Sequence, residues 1–144
     1  MLRGEYFHNI DEKGRLIVPV KFRNELGESY VICKGMDECL LMYSLLEWDK
    51  FAAKLEKLPR LDEDARRVMR HFTGSAHEGT FDKQGRVLVP PSLRGYAGLD
   101  KELVLLGMGD KVEIWNKSLR DENELSKEEF RDIAKRLKEL ESFF

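Results

Sequence analysis

Asp11-Glu12-Lys13-Gly14-Arg15-Leu16-Ile17-Val18-Pro19-Val20-Lys21-Phe22-Arg23 returns 71 residues later as Asp82-Lys83-Gln84-Gly85-Arg86-Val87-Leu88-Val89-Pro90-Pro91-Ser92-Leu93-Arg94. Six positions are identical: Asp11/Asp82, Gly14/Gly85, Arg15/Arg86, Val18/Val89, Pro19/Pro90 and Arg23/Arg94. Leu16/Val87, Ile17/Leu88 and Phe22/Leu93 stay apolar in both copies. Chance gives about one identity in such a window, so the chain reads as a duplication. Gly27 and Gly98 keep the same offset. Further on, with one inserted residue, Tyr30 to Met36 aligns with Glu102 to Met108, and Leu40 to Tyr43 with Val112 to Trp115.

Each copy reads as strand, tight turn, strand, short helix, strand, turn, strand. The Asp-to-Arg spacing fits a three-residue hairpin loop with glycine in the left-handed position. Leu16-Ile17-Val18 and Val87-Leu88-Val89 are short apolar strands. Pro19 and Pro90 end them and suit the first position of a helix. Helices over Pro19 to Leu26 and Pro91 to Ala97 then stop at Gly27 and Gly98. The last two strands of each copy are expected to form a hairpin around Gly35 and Gly107. Ser44 with Glu47 and Ser126 with Glu129 are capping boxes for two longer helices. Their apolar faces are Trp48, Phe51, Leu55, Leu58 and Phe130, Ile133, Ala134, Leu137, Leu140. A third helix, Asp62 to Phe72, joins the copies and carries Arg66, Arg67, Arg70 and His71 towards its end.

A repeat of about 70 residues has marginal means to fold alone. The economical solution is an α+β fold with one shared core: a pseudo-symmetric β-barrel made of two β-α-β repeats with helices outside. The expected units are residues 1–60, a connecting helix over 61–74, and residues 75–144. The 144-residue composition, 42% hydrophobic and 36% charged, excludes collagen-like, mucin-like and disulfide-scaffold classes. No apolar run is long enough for a membrane span, and Met1 to Glu5 lacks a signal-peptide core, so the expected location is cytoplasmic. Cys33 and Cys39 lack a redox or zinc spacing and read as buried thiols. His8, His71 and His77 form no ligand pattern, so neither metal nor cofactor is expected. Enzyme motifs are missing. Ser75 beside His71 and His77 is the sole nucleophile-and-base idea, and nearness in sequence says little about geometry.

The 25 Lys plus Arg and 27 Asp plus Glu give a net charge of −2, with an isoelectric point near 6.0. That total conceals a basic stretch: Arg66 to Gly95 holds six Lys or Arg against two acids. Local sign matters more than the sum for a bound polyanion. Within each loop the carboxylate of Asp11 or Asp82 can hold the guanidinium of Arg15 or Arg86 in one orientation. An exposed ion pair adds little stability. An oriented arginine on a turn, however, reads phosphate or a guanine edge well. Lys13 and Lys83 join the arginines as DNA-binding candidates, and Lys21, Arg23 and Arg94 as phosphate contacts. The same residues have plainer readings. Asp-x-x-Gly-Arg makes a good turn, Arg23 and Arg94 suit helix C-termini, and Arg66 to His71 suits a solvated helix face.

The tandem Asp-x-x-Gly-Arg elements, each followed by apolar residues and proline, resemble the MraZ family. Arg94-Gly95-Tyr96-Ala97-Gly98-Leu99 and Glu113-Ile114-Trp115 add to the resemblance, which covers essentially the whole chain. It implies two AbrB-like swapped-hairpin halves forming an intramolecular pseudo-dimer, with chains assembling into a homo-oligomeric ring. It also implies a transcriptional regulator of the division and cell-wall gene cluster. Such a protein is nucleoid-associated and binds double-stranded DNA at direct repeats upstream of its own operon, typically as a repressor. Arg15 and Arg86 would contact DNA, oriented by Asp11 and Asp82. Lys13 is Gln84 in the second copy, so the loops differ in charge. The alternative is an antitoxin-like or scaffold module that binds protein through its Trp, Phe and Leu stripes.

Overall fold

The computed structural model describes residues 1–144. The first copy contributes β1 (Leu2–Asn9), β2 (Arg15–Ile17), α1 (Val20–Leu26), β3 (Ser29–Lys34), β4 (Leu40–Ser44) and α2 (Leu45–Leu55). After α3 (Glu63–Phe72), the second contributes β5 (His77–Thr80), β6 (Arg86–Leu88), α4 (Pro91–Ala97), β7 (Glu102–Gly109), β8 (Val112–Asn116) and α5 (Lys117–Asn123). Two short helices follow, α6 (Lys127–Arg136) and α7 (Lys138–Glu141).

The strands make a six-stranded antiparallel sheet in the order β1-β7-β8-β4-β3-β5 and a two-stranded ribbon, β2-β6. Exchanging every strand for its repeat mate returns the same sheet order read backwards. The register carries the same symmetry. In the sheet, Leu40 faces Ile114 and Met42 faces Val112, with Leu41 opposite Glu113 between them. In the ribbon, Arg15 faces Leu88 and Ile17 faces Arg86, with Leu16 opposite Val87 between them. A pseudo-two-fold axis therefore passes through the Leu41–Glu113 and Leu16–Val87 pairs.

Two expectations change. The turn after β1 forms, but its strands part at once: a single bridge, Ile10 with Leu16, joins them. β1 instead pairs along its length with β7, and β2 pairs with β6, so both partners come from the other copy. The hydrogen-bonded sheet also stays open, with β1 and β5 at its edges, rather than closing as a barrel. Pro19 and Pro90, with no N–H to donate, follow closely on β2 and β6 and keep the ribbon short.

Local chemistry explains the helices. Pro19 and Pro90 are N-caps, one place before the position expected, and Pro91 takes the first turn of α4. The Ser44 hydroxyl accepts from Glu47 N to start α2, while Ser126 and Glu129 form the full reciprocal capping box of α6. Asn116, the repeat mate of Ser44, caps α5 by accepting from Leu119 N. That helix was not expected. The C-terminal helix breaks at Leu137, whose φ of −91° and ψ of 80° are non-helical. The second hairpin turns at Asp110, between β7 and β8, rather than at Gly107, which lies within β7 opposite Val112.

Two apolar clusters hold the fold. One joins the ribbon and helices α1 and α4 to one group of sheet residues: Leu16, Val18, Phe22, Val87, Val89, Leu93, Ile32, Met42, Leu105 and Ile114. The other gathers Cys33, Leu41, Tyr43, Val104 and Trp115 with Leu55 and Phe72 of the longer helices. Phe51 stacks on Tyr43, 5.4 Å between ring centroids, and meets Phe72 edge-on. Both clusters draw on both copies. α6 and α7 bury nothing, and Leu125, Phe130, Leu137, Phe143 and Phe144 are exposed. No helix is long and apolar enough to cross a membrane.

Candidate functional site

The two Asp-x-x-Gly-Arg loops have almost the same geometry. Asp11 Oδ1 accepts from Lys13 N at 3.0 Å and Arg15 N at 2.8 Å, and its Oδ2 accepts from Arg15 Nε at 2.7 Å. Asp82 repeats this with Gln84 N at 2.9 Å, Arg86 N at 2.8 Å and Arg86 Nε at 2.7 Å. The backbone N–H of Arg15 or Arg86, foremost, holds each carboxyl below the ordinary aspartate range; the guanidinium adds to the effect. Gly14 and Gly85 stand at φ +84° and +76°, in the left-handed region that favours glycine.

Only Nε of each arginine is bound by aspartate. The Nη groups of Arg15 and Arg86 make no hydrogen bond within the chain, so each guanidinium presents its fork outward from a fixed stem. The paired charges largely cancel. Such a clamp is a weak attractor of phosphate and a well-oriented bidentate donor, which suits a planar acceptor edge.

The copies also lock each other. Val18 N donates to Gly85 O at 3.1 Å, and Val89 N donates to Gly14 O at 2.8 Å. Arg23 Nε donates to Val18 O and Arg94 Nε to Val89 O, at 2.9 and 3.0 Å. Each guanidinium then lies over the glycine of the opposite loop: a Cβ on Gly14 would stand 2.8 Å from Arg94 Nε, and one on Gly85 would meet Arg23 still more closely.

The ribbon brings Arg15 and Arg86 together on one face, with Leu16 and Val87 buried beneath it. Lys13 and Lys83 are exposed in the loops. Lys21 is exposed on α1, while Arg23 and Arg94 are half-buried. Ile17 and Leu88, which the sequence places in short apolar strands, are 47% and 54% exposed and share the face of the arginines. With Leu16 and Val87 buried, the alternation of a strand turns Ile17 and Leu88 to the opposite face.

The Arg66 to His71 cluster is largely engaged locally. Arg67 pairs with Glu63 at 2.9 Å, Arg66 donates to Arg60 O, and His71 Nε2 lies 2.7 Å from Gly35 O. The Ser75 hydroxyl donates to the backbone carbonyl of His71 and accepts from Lys34 N; it bonds to no histidine ring.

A family described as "MraZ protein, putative antitoxin-like" matches the chain twice, over residues 1–71 and 72–143. The chain belongs to the MraZ family. Relatives named "Transcriptional regulator MraZ" are 46% identical in Thermoanaerobacter sp., over 97% of this chain and 99% of the relative. The Acetivibrio thermocellus relative is 50% identical over 82% of both chains. The one from Clostridium tetani is 42% identical over 97% and 99%. The family match divides the chain near the end of α3, so each matched part carries one clamped arginine.

Proposed function

We propose that this chain is a sequence-specific DNA-binding transcriptional regulator, a repressor acting on direct repeats upstream of its own division and cell-wall operon. The observation that carries this reading is the pair of aspartate-clamped arginines on one exposed ribbon face. The major groove admits a two-stranded β-ribbon, and Arg bidentate to guanine O6 and N7 is its commonest specific contact. The regulator relatives support the same reading.

In it, Arg15 and Arg86 address guanines and Asp11 and Asp82 aim them. Lys13, Lys83 and Lys21 contact phosphates, as do the Nη atoms of Arg23 and Arg94. Residues 1–60 and 75–144 act as half-sites around one core, linked by 61–74. Chains associate as a homo-oligomeric ring at the nucleoid. The exposed Phe130, Leu137, Phe143 and Phe144 supply apolar area for subunit contacts. Such a ring gathers several ribbons, and linked weak contacts raise avidity roughly 10²–10⁴-fold where geometry permits.

The test is binding of the full chain to the DNA upstream of its own reading frame. Affinity should rise steeply with the number of repeats, fall steeply with salt, and vanish in Arg15→Ala/Arg86→Ala. Retained affinity in that double variant overturns the assignment. A second reading, an antitoxin-like or scaffold module without DNA binding, rests on the same uncovered C-terminal side chains and on the family description. A stoichiometric protein partner together with no DNA shift favours it.

A further inference from the structure

The outer face of the β2-β6 ribbon is a chequerboard. Arg15 stands opposite Leu88, and Ile17 stands opposite Arg86. Two guanidinium groups occupy one diagonal and two aliphatic side chains the other. Diagonal neighbours in such a ladder lie roughly 7–8 Å apart, about two base-pair steps of 3.4 Å. The face therefore matches a short stretch of groove floor.

The aliphatic diagonal is not explained by folding. The apolar needs of the ribbon are met on its other face, where Leu16 and Val87 are 0% and 1% exposed. Ile17 and Leu88 add nothing to that cluster. Single exposed apolar residues are common. Here, though, two are placed by the pseudo-two-fold axis, and the two copies agree on an aliphatic residue. At the exposed loop tips beside them the copies disagree: Glu12 has become Lys83, and Lys13 has become Gln84. Beside a groove-reading arginine, the apolar feature available for contact is the C5-methyl of thymine.

We propose that Ile17 and Leu88 read thymine methyl groups in the major groove, alongside the guanine edges addressed by Arg15 and Arg86. The inference rests on the DNA-binding reading above and adds the bases that flank the guanines. The preferred site is then a mixed guanine and thymine element with approximate two-fold symmetry within each subunit's footprint.

The full chain is allowed to select its tightest duplex from a random pool. Each thymine in that duplex is then replaced by uracil, which removes only the methyl. For the unaltered protein, uracil at thymines next to a contacted guanine should weaken binding about fourfold per methyl, the worth of one buried methyl group. In Ile17→Ala or Leu88→Ala the same replacement at the matching position should have little effect, because its contact is already gone. The inference is overturned if no thymine is selected, or if uracil leaves the unaltered protein's affinity intact. It is overturned too if the uracil penalty is undiminished in both variants, which marks a shape effect. Loss of oligomer mass in the variants without any uracil effect would place these side chains in a protein contact, and also overturns it. A protein that selects and binds a duplex yet ignores methyls leaves the DNA-binding reading standing. One that binds no duplex removes both.

Discussion

The guanidinium of Arg23 fills the space that a side chain on Gly85 would need. Arg94 does the same at Gly14, so each copy's short helix braces the other copy's loop. Gly85 also carries a φ of +76°. Gly85→Ala should therefore destabilise the fold by on the order of 1–3 kcal/mol, through backbone strain and displacement of Arg23. Urea unfolding measures it. In an Arg23→Ala background the added methyl should cost less, since its obstacle is gone; equal costs in both backgrounds would refute the brace.

Asp11→Asn and Asp82→Asn keep the size of the side chain and weaken its hold on Nε. Each should reduce the preference for specific over scrambled duplex about tenfold, within the range for one bidentate base contact. Circular dichroism and oligomer mass should stay unchanged. Anisotropy titrations with the two duplexes provide the measurement, and an unaltered preference would show that the clamp does not aim the arginine.

Acid should open the loops late. Both carboxyls titrate below their unfolded values, so their contribution is present above the ordinary aspartate range and fades as pH falls through the lower folded values. The loops, and specific binding with them, should survive mild acid. Carbon-13 shifts of the carboxyls should place Asp11 and Asp82 below the ordinary aspartate range. Midpoints within that range would contradict the geometry.

Cys33 and Cys39 are buried, and burial pushes both thiols up to about 12. Iodoacetamide should leave them unmodified at neutral pH in the folded protein and alkylate them in denaturant. Mass spectrometry before and after unfolding decides the matter. Rapid native alkylation would mean that the cluster around Tyr43 and Trp115 opens readily.

Much of this was legible from residue order. The duplication, the Asp-x-x-Gly-Arg turns, the glycine conformations and the caps of α2 and α6 depend on neighbours within a few positions. Partner choice between strands does not. Nothing local to β2 says whether it pairs with β1 or, as found, with β6. The exposure of Ile17 was hidden for a related reason: three apolar residues in a row show no face until one face is covered. α5 was missed because Asn116, not serine, does the capping, though its alignment with Ser44 pointed there. The clamped arginines themselves were read from spacing alone.

The exchange of strands between copies also sets a timetable for synthesis. β1 is made long before the Glu102–Gly109 segment with which it pairs, and β2 well before Arg86–Leu88. On the ribosome the first half has no completed sheet to join, and closing such distant pairs is intrinsically slow. The β2-β6 ribbon comes into being only once both halves have been translated. Abortive or prematurely terminated chains should thus lack a ribbon and leave the complete protein's targets uncontested.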